Sequence, residues 1–360
     1  MKMPVLRIGD LEARIPIIQG GMGIGISLSG LASAVAAEGG IGVISATGIG
    51  MTEPDFETDL AGANERALRR EIRQAKKLSR GIIGINVLVA MTDHLHLVQV
   101  ALEENVDAVF LGAGLPLRFP EASIRATNTK IIPIVSSARA ARLIFQYWAK
   151  QYHRLPDAIV VEGPMAGGHL GFKKEQIDNP DYSLDKIVPE VLATVKTFEN
   201  DFNKKIPVIA AGGIYTGEDI YRYIKMGASG VQMATRFVAT EECDASAAFK
   251  QSYIDCRRED LVIIDSPVGL PGRAIRNRFL EAVKIGKKHP FQCNWACLRT
   301  CDFVNAPYCI GEALINAKKG LFNEGFTFAG TNAYRVKGIT TVKTLIQSLL
   351  VEFAAASAGV

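Results

Sequence analysis

Eight short apolar segments alternate with longer segments of helical periodicity from residue 16 to about residue 235. Strands that alternate with helices at this spacing form βαβ units, so the pattern predicts a parallel sheet. Eight units favour closure into a (β/α)₈ TIM barrel, an α/β fold that usually needs about 250 residues. The predicted strands are Ile15–Gln19, Ile41–Ser45, Ile82–Val87, Ala108–Leu111, Ile131–Val135, Ala158–Val161, Val208–Ala211 and Gly230–Met233.

The competing architecture is an open, doubly wound α/β sheet. Its dinucleotide fingerprint, G-x-G-x-x-G, is expected directly after the first strand. The sequence there, Gly20-Gly-Met-Gly-Ile-Gly-Ile26, lacks that spacing, so we predict the closed barrel. Helices are expected between the strands, and Arg118–Asn128 has the weakest helical pattern. Ser136 and Ser137 follow the fifth strand, where we expect them to cap the next helix.

The chain changes character after the barrel, which we predict to span residues 1–240. Residues 241–290 read as a helical lid or connection. They contain Ser266-Pro-Val-Gly-Leu-Pro-Gly-Arg273, which fits a lid over the barrel mouth or a surface connection equally well. Residues 291–360 hold four cysteines and an apolar helical segment, Thr340–Ala356. We therefore expect a C-terminal helical, cysteine-containing appendage packed on the barrel.

Composition narrows the class of protein and its partners. A hydrophobic content of 48% with 22% charged residues is typical of a soluble globular protein. The net charge is +4 with scattered Lys and Arg, which argues against a nucleic acid partner. The sequence has no apolar run of about 18 residues for a membrane span and no signal-peptide pattern. Six cysteines without a secretion signal indicate a reducing, cytoplasmic location, and the sequence is compatible with a homodimer.

The loop Glu162–Gly171 is the strongest candidate for a ligand site. It follows the sixth predicted strand, and its glycines would let a flat ligand approach the backbone because they carry no Cβ. His169 lies within this loop and is able to titrate near neutral pH. The alternative is a loop whose histidine only caps a helix or binds water.

The ends of the seventh and eighth predicted strands predict a phosphate site. Phosphate sites in these barrels commonly form from the loops after the seventh and eighth strands. Here those ends read Ala210-Ala-Gly-Gly-Ile214 and Gly230-Val-Gln-Met-Ala-Thr-Arg236. The alternative is a pair of tight turns that serve packing only.

The ordered motifs resemble those of the nitronate monooxygenase (2-nitropropane dioxygenase-like) flavoproteins and the closely related FMN-dependent enoyl-ACP reductases. The resemblance covers roughly residues 4–280. It is carried by Gln19-Gly-Gly-Met22, Ala166-Gly-Gly-His-Leu-Gly171, Ala211-Gly-Gly-Ile214 and Gln232-Met-Ala-Thr-Arg236.

The resemblance implies a barrel that binds FMN, with His169 as the catalytic residue. By analogy, Gly21 and Met22 would line the isoalloxazine through their backbone, and Asn86 would hydrogen-bond the ring or the ribityl chain. The ribityl phosphate or the backbone beside it would be held by Gly168, Gly212, Gly213, Ala234 and Thr235.

The chain departs from the family pattern at two positions. Met165 stands where many nitronate oxidisers carry glutamate, and Ala234 stands where glycine is common. Glu162 leaves a carboxylate in the same loop, and we count it among the residues expected to line the cofactor site.

We expect an FMN-dependent oxidoreductase that oxidises alkyl nitronates or nitroalkanes, with His169 as acid and base beside the flavin. One alternative is an NAD(P)H-dependent reductase of enoyl-thioesters or quinones, which would use the same imidazole. Another, of a different class, is a non-catalytic binder of a phosphorylated ligand.

The late cysteines suggest a separate metal site. Cys293, Cys297 and Cys301 are spaced four apart, which on a helix stacks the thiols along one face, and Cys309 follows. Four thiolates would suit an iron–sulfur cluster or a structural zinc. The alternative is a set of small buried apolar residues.

Overall fold

Eight parallel strands close into a barrel in the computed structural model, which describes residues 2–120, 127–287, 289, 291–293 and 295–359. The first and last strands pair through Ile17 and Val231, which closes the ring. The barrel strands are β1 (Ile17–Gln19), β2 (Ile41–Ser45), β3 (Ile82–Leu88), β4 (Ala108–Gly112), β5 (Lys130–Val135), β6 (Ile159–Glu162), β7 (Val208–Ala211) and β8 (Gly230–Met233).

Helices surround the barrel as the βα alternation predicts. Those that follow the strands are Ser29–Ala37, Leu60–Leu78, His94–Glu103, Ala138–Tyr152, Leu184–Phe202, Gly217–Met226 and Thr235–Val238. Ser137 caps its helix as expected, because its side chain accepts a hydrogen bond from the Ala140 amide. Residues 121–126, within the weakest predicted helix, lie outside the described residues.

Two apolar clusters bury the two faces of the barrel strands. Ile18, Val43 and Phe110 belong to the inner cluster, while Ile17 and Ile44 point outward and pack against the helices. Adjacent residues therefore face opposite sides, as the period of a strand requires. An antiparallel hairpin, Leu6–Ile8 with Leu11–Ala13, adds to the inner cluster.

The segment after the barrel contains a β-hairpin within the predicted helical lid or connection. Strands Leu261–Asp265 and Pro271–Ile275 pair with each other, and the second also pairs with Gly168–His169. We call this element hairpin 261–275. The Pro- and Gly-containing sequence is therefore a tight connection held against the His169 loop, between the helices Ala247–Ile254 and Arg278–Lys284.

The C-terminal part of the chain supplies two more helices, Ile310–Lys319 and Val342–Ala358. The second packs along Gly217–Met226, where Glu352 accepts a hydrogen bond from the Gly217 amide. No helix in the described part of the chain is long and apolar enough to cross a membrane.

Candidate active site

A cavity of about 300 Å³ lies at the carboxyl ends of the barrel strands. This is the face that carries the catalytic loops in TIM-barrel enzymes. All ten residues predicted to contact cofactor or substrate line it. They are Gly21, Met22, Asn86, Glu162, Gly168, His169, Gly212, Gly213, Ala234 and Thr235.

The loop after β1 packs directly on β3. A Cβ atom on Gly21 would lie 2.4 Å from the Asn86 Cβ, so only glycine allows this approach. The Met22 amide N–H already donates to the Ser27 hydroxyl at 2.8 Å, and its carbonyl accepts from the Ser27 amide. Because the Met22 backbone is committed to Ser27, we expect its side chain to be the part that meets a ligand.

Hairpin 261–275 holds the imidazole of His169. The His169 Nε2 atom lies 2.7 Å from the Ser266 hydroxyl, and the ring packs edge-on against Phe328 at 4.9 Å between centroids. Burial lowers the pKa of His169 to about 4. The imidazole is therefore neutral at pH 7 and available to accept a proton or to donate a hydrogen bond.

A buried arginine fixes the glycine-rich loop that carries His169. Arg273 is 7% exposed, and its guanidinium donates to the carbonyl oxygens of Pro164 and Ala166. Hydrogen bonds from a charged donor are among the stronger ones in proteins. The loop is thus bound to hairpin 261–275 through the Arg273 side chain and through the backbone pairing of Gly168–His169.

Glu162 ends β6 and lines the cavity. Its side chain makes no hydrogen bond to any described residue, and desolvation raises the pKa of its carboxyl group to about 7. The carboxyl group therefore changes protonation state near neutral pH.

The loops after β7 and β8 line the cavity beside the end of β6. Gly212 and Gly213 have φ of +89° and +87°, a conformation that favours glycine. A Cβ on Gly213 would also lie 2.7 Å from the Cβ of Met165. Ala234 and Thr235 follow β8 on the neighbouring wall.

Sequence reasoning missed several cavity residues that come from distant parts of the chain. Ser45 and Thr331 line the cavity with buried hydroxyls that have no hydrogen-bond partner among the described residues. Phe328 and Ser266 contact His169 from the segments that follow the barrel. A buried hydroxyl without a partner is costly, which points to a polar ligand as the missing partner.

One part of the cavity is apolar. Its wall combines the loops after β2 and β3 with the helix Ile310–Lys319, and Met51 lies close to Gly311. The apolar lining residues of this region are Ile24, Met51, Leu60, Met91, Leu298, Ile310 and Leu314.

The late cysteines do not form the predicted metal site. Cys293, Cys297 and Cys301 lie on irregular chain rather than on a helix, so their spacing does not stack the thiols on one face. Among the described residues, no group of three or more His, Cys, Asp or Glu side chains is arranged to hold a metal ion. The structure thus does not support an iron–sulfur cluster or zinc. Cys297 lines the cavity, and burial raises the pKa of its thiol to about 12.

Comparison with known proteins identifies the family. Residues 7–352 match the family model described as nitronate monooxygenase. The chain belongs to the nitronate monooxygenase family. It is accordingly an FMN-dependent oxidoreductase on a TIM barrel, since FMN is characteristic of this family.

Relatives of the chain carry more than one activity in their names. A probable nitronate monooxygenase of Staphylococcus aureus (strain Newman) is 28% identical over 75% of this chain and 78% of the relative. A protein of Mycobacterium tuberculosis is 26% identical over 80% of this chain and 70% of its own length. It is named (3aS,4S,5R,7aS)-5-hydroxy-7a-methyl-1-oxo-octahydro-1H-indene-4-carboxyl-CoA dehydrogenase.

Solved structures share the fold over almost the whole chain. FabK from Thermotoga maritima has a TM-score of 0.74 and 28% identity, and the match covers 96% of this chain and 94% of FabK. A nitroalkane oxidase from Streptomyces ansochromogenes has a TM-score of 0.73 at 22% identity, with 96% and 97% covered. At that identity the second likeness shows the fold alone.

The residues around the cavity fit FMN. A Cβ on Gly168 would meet no atom within 4 Å, so the His169 loop leaves room for a flat ring, and the apolar residues suit its aromatic faces. The glycines after β7 and the hydroxyls of Thr235 and Thr331 suit a ribityl phosphate. When bound, the flavin supplies the acceptor for a hydride or for electrons, and the protein supplies orientation and proton handling.

Proposed function

We propose that the protein oxidises alkyl nitronates, and more slowly the parent nitroalkanes, with FMN as cofactor. The observation that carries this proposal is the neutral, half-buried imidazole of His169 at the cavity wall, held by Ser266 and Phe328. Membership of the nitronate monooxygenase family supports it. In this proposal Gly21, Met22, Asn86 and Glu162 contact the ring or the ribityl chain. Gly168, Gly212, Gly213, Ala234 and Thr235 contact the phosphate or the backbone beside it.

The low pKa of His169 sets the order of preference between the two substrate forms. A nitronate is already a carbanion equivalent and needs little acid–base help. A neutral nitroalkane must first lose its α-proton, and an imidazole with a pKa of about 4 is a weak base for that step. Nitronates are therefore the better substrates.

Anaerobic spectroscopy tests the reaction. Purified protein with bound flavin should lose its yellow colour when a nitronate such as propyl-2-nitronate is added without oxygen. NADH and NADPH added alone should leave the colour unchanged. Bleaching by a pyridine nucleotide but not by the nitronate would contradict the proposal. If neither the nitronate nor a pyridine nucleotide bleaches the flavin, the result would favour a non-catalytic binding protein.

Replacing His169 tests its role. In His169→Ala the flavin should stay bound, while turnover of the neutral nitroalkane should fall by about 100-fold, the lower end of the usual contribution of a general base, because this imidazole is a weak one. Turnover of the preformed nitronate should change much less, and this substrate serves as the internal control. Equal losses for both substrates, or loss of the flavin, would indicate a structural role.

A second candidate is the NAD(P)H-dependent reduction of an enoyl-thioester. The apolar part of the cavity favours it, because an acyl chain needs such a surface. The match with FabK, an FMN enoyl-ACP reductase, also covers 96% of this chain. NADH-dependent bleaching followed by reoxidation with an enoyl-thioester would establish this activity in place of the first.

A further inference from the structure

The C-terminal part of the chain reaches the phosphate end of the cavity. Gly330 lies against Thr235, since a Cβ on Gly330 would be 2.8 Å from the Thr235 Oγ1 atom. Asn332 donates from Nδ2 to the Gly213 carbonyl at 2.7 Å. Residues 329–332 therefore fill the space between the loop after β7 and the loop after β8.

Thr331 stands at the centre of this segment. Its amide donates to the Met165 carbonyl at 3.1 Å, which fixes the backbone. Its hydroxyl is buried without a partner among the described residues, although the residue lines the cavity. The hydroxyl and the methyl group share Cβ, so a χ1 rotation redirects the hydroxyl without moving the backbone.

Positive charge lies behind the same loops. The guanidinium groups of Arg236 and Arg335 lie 5.1 Å and 4.3 Å from the ring centroid of Tyr215, two residues after Gly213. Glu352 pairs with Arg236 at 3.3 Å, and the described residues show no such carboxylate for Arg335. The Asp219 carboxylate also lies on this loop, where it accepts from the Tyr215 amide at 2.9 Å, so Arg335 is the cation here without a paired carboxylate among the described residues.

We infer that Thr331 is a ligand of the flavin phosphate, supplied to the barrel by the C-terminal part of the chain. A phosphate offers three strong acceptor oxygens, and the Thr331 hydroxyl is a donor that lacks an acceptor. The inference rests on the cofactor of the family and is independent of the substrate proposed above.

A competition between FMN and riboflavin tests this inference, because riboflavin lacks the phosphate. Holoprotein is incubated with an excess of both flavins at equal concentration, and the ratio of bound FMN to bound riboflavin is measured after separation. Thr331→Val keeps the shape of the side chain and removes only the hydroxyl. We expect it to lower that ratio by about tenfold or more, as for one lost hydrogen bond to a charged group. Thr331→Ser should restore the ratio.

Tyr308→Phe provides the matched control away from the cavity. It removes another buried hydroxyl that has no partner among the described residues, so it should leave the FMN-to-riboflavin ratio unchanged. If valine is not tolerated, Thr331→Ala gives the same readout. An unchanged ratio in a folded Thr331 variant would overturn the inference and leave the proposed function standing. A wild-type protein that binds neither flavin would overturn both.

Discussion

At the scale of single residues, the histidine was predictable from sequence and its partners were not. His169 lies in a glycine-rich loop after a strand, a local pattern that can be read directly. Ser266 is 97 positions away, and Phe328 is farther still. Only the fold of hairpin 261–275 and of the C-terminal segment brings these side chains together. The low pKa of His169 likewise follows from tertiary burial.

Glu162 gives a pH-dependent prediction at this scale. Its carboxyl pKa is about 7 in the folded protein, against about 4.5 for a glutamate exposed to water. The folded state therefore holds the proton more tightly, so stability falls as the pH rises from about 4.5 to 7. Glu162→Gln should remove this loss and stabilise the protein at pH 8 by up to about 3 kcal/mol.

Denaturant unfolding of the flavin-free protein at pH 4.5 and pH 8 checks the prediction for Glu162. Replacing an exposed carboxylate, as in Glu175→Gln, should have no comparable effect at either pH. A Glu162→Gln variant that is no more stable than the wild type at pH 8 would show that the carboxyl group is not desolvated as described.

At the scale of elements, periodicity located the barrel strands well. All eight predicted strands are present, and β2, β7 and β8 have the predicted ends. Strands of this kind are buried on both faces, which produces the continuous apolar runs that were read from the sequence. Hairpin 261–275 was missed, because its residues alternate weakly and its pairing with Gly168–His169 is non-local.

Arg273 is the residue through which hairpin 261–275 acts on the active site. Arg273 donates both bonds from Nη1, and the lysine side chain is one bond shorter, so Arg273→Lys keeps the charge but should lose at least one of the two bonds to Pro164 and Ala166. We expect a loss of about 1–3 kcal/mol in unfolding free energy and faster amide hydrogen exchange in residues 163–170. Arg276→Lys, an exposed change in the same region, should stay within about 0.5 kcal/mol. Unchanged exchange in residues 163–170 would contradict this role for Arg273.

At the scale of the whole molecule, the barrel and the segments after it form one active site. The barrel loops supply the glycines, His169, Glu162 and Asn86, while residues from 249 to 332 complete the wall of the cavity. Sequence motifs predicted the part of the cavity wall that the barrel loops form, because short motifs reflect the local backbone conformation. The part of the wall that comes from residues after the barrel has no local sequence motif. The regular cysteine spacing suggested a helix where the chain is irregular.

The cavity wall that the barrel loops form together with the later segments gives a prediction about substrate size. Leu314 lines the apolar part of the cavity, so Leu314→Trp should fill that space. The KM for long-chain nitronates should rise by about tenfold or more, with little change for ethyl nitronate, because the lost contacts are apolar. Leu321→Trp adds the same bulk at a residue that is 48% exposed, and it should leave both values unchanged. Equal KM values in Leu314→Trp and the wild type would show that the alkyl chain lies elsewhere.

The central claim is that a nitronate reduces a flavin bound in this cavity. The most direct measurement is the second-order rate constant for anaerobic flavin reduction, followed by stopped-flow absorbance, with an alkyl nitronate and with NADPH. Reduction by the nitronate should exceed reduction by NADPH by at least about 100-fold, a difference of about 3 kcal/mol in activation free energy, because the nitronate and not NADPH is the proposed electron donor. Reduction by NADPH at a rate equal to or above that of the nitronate would contradict it.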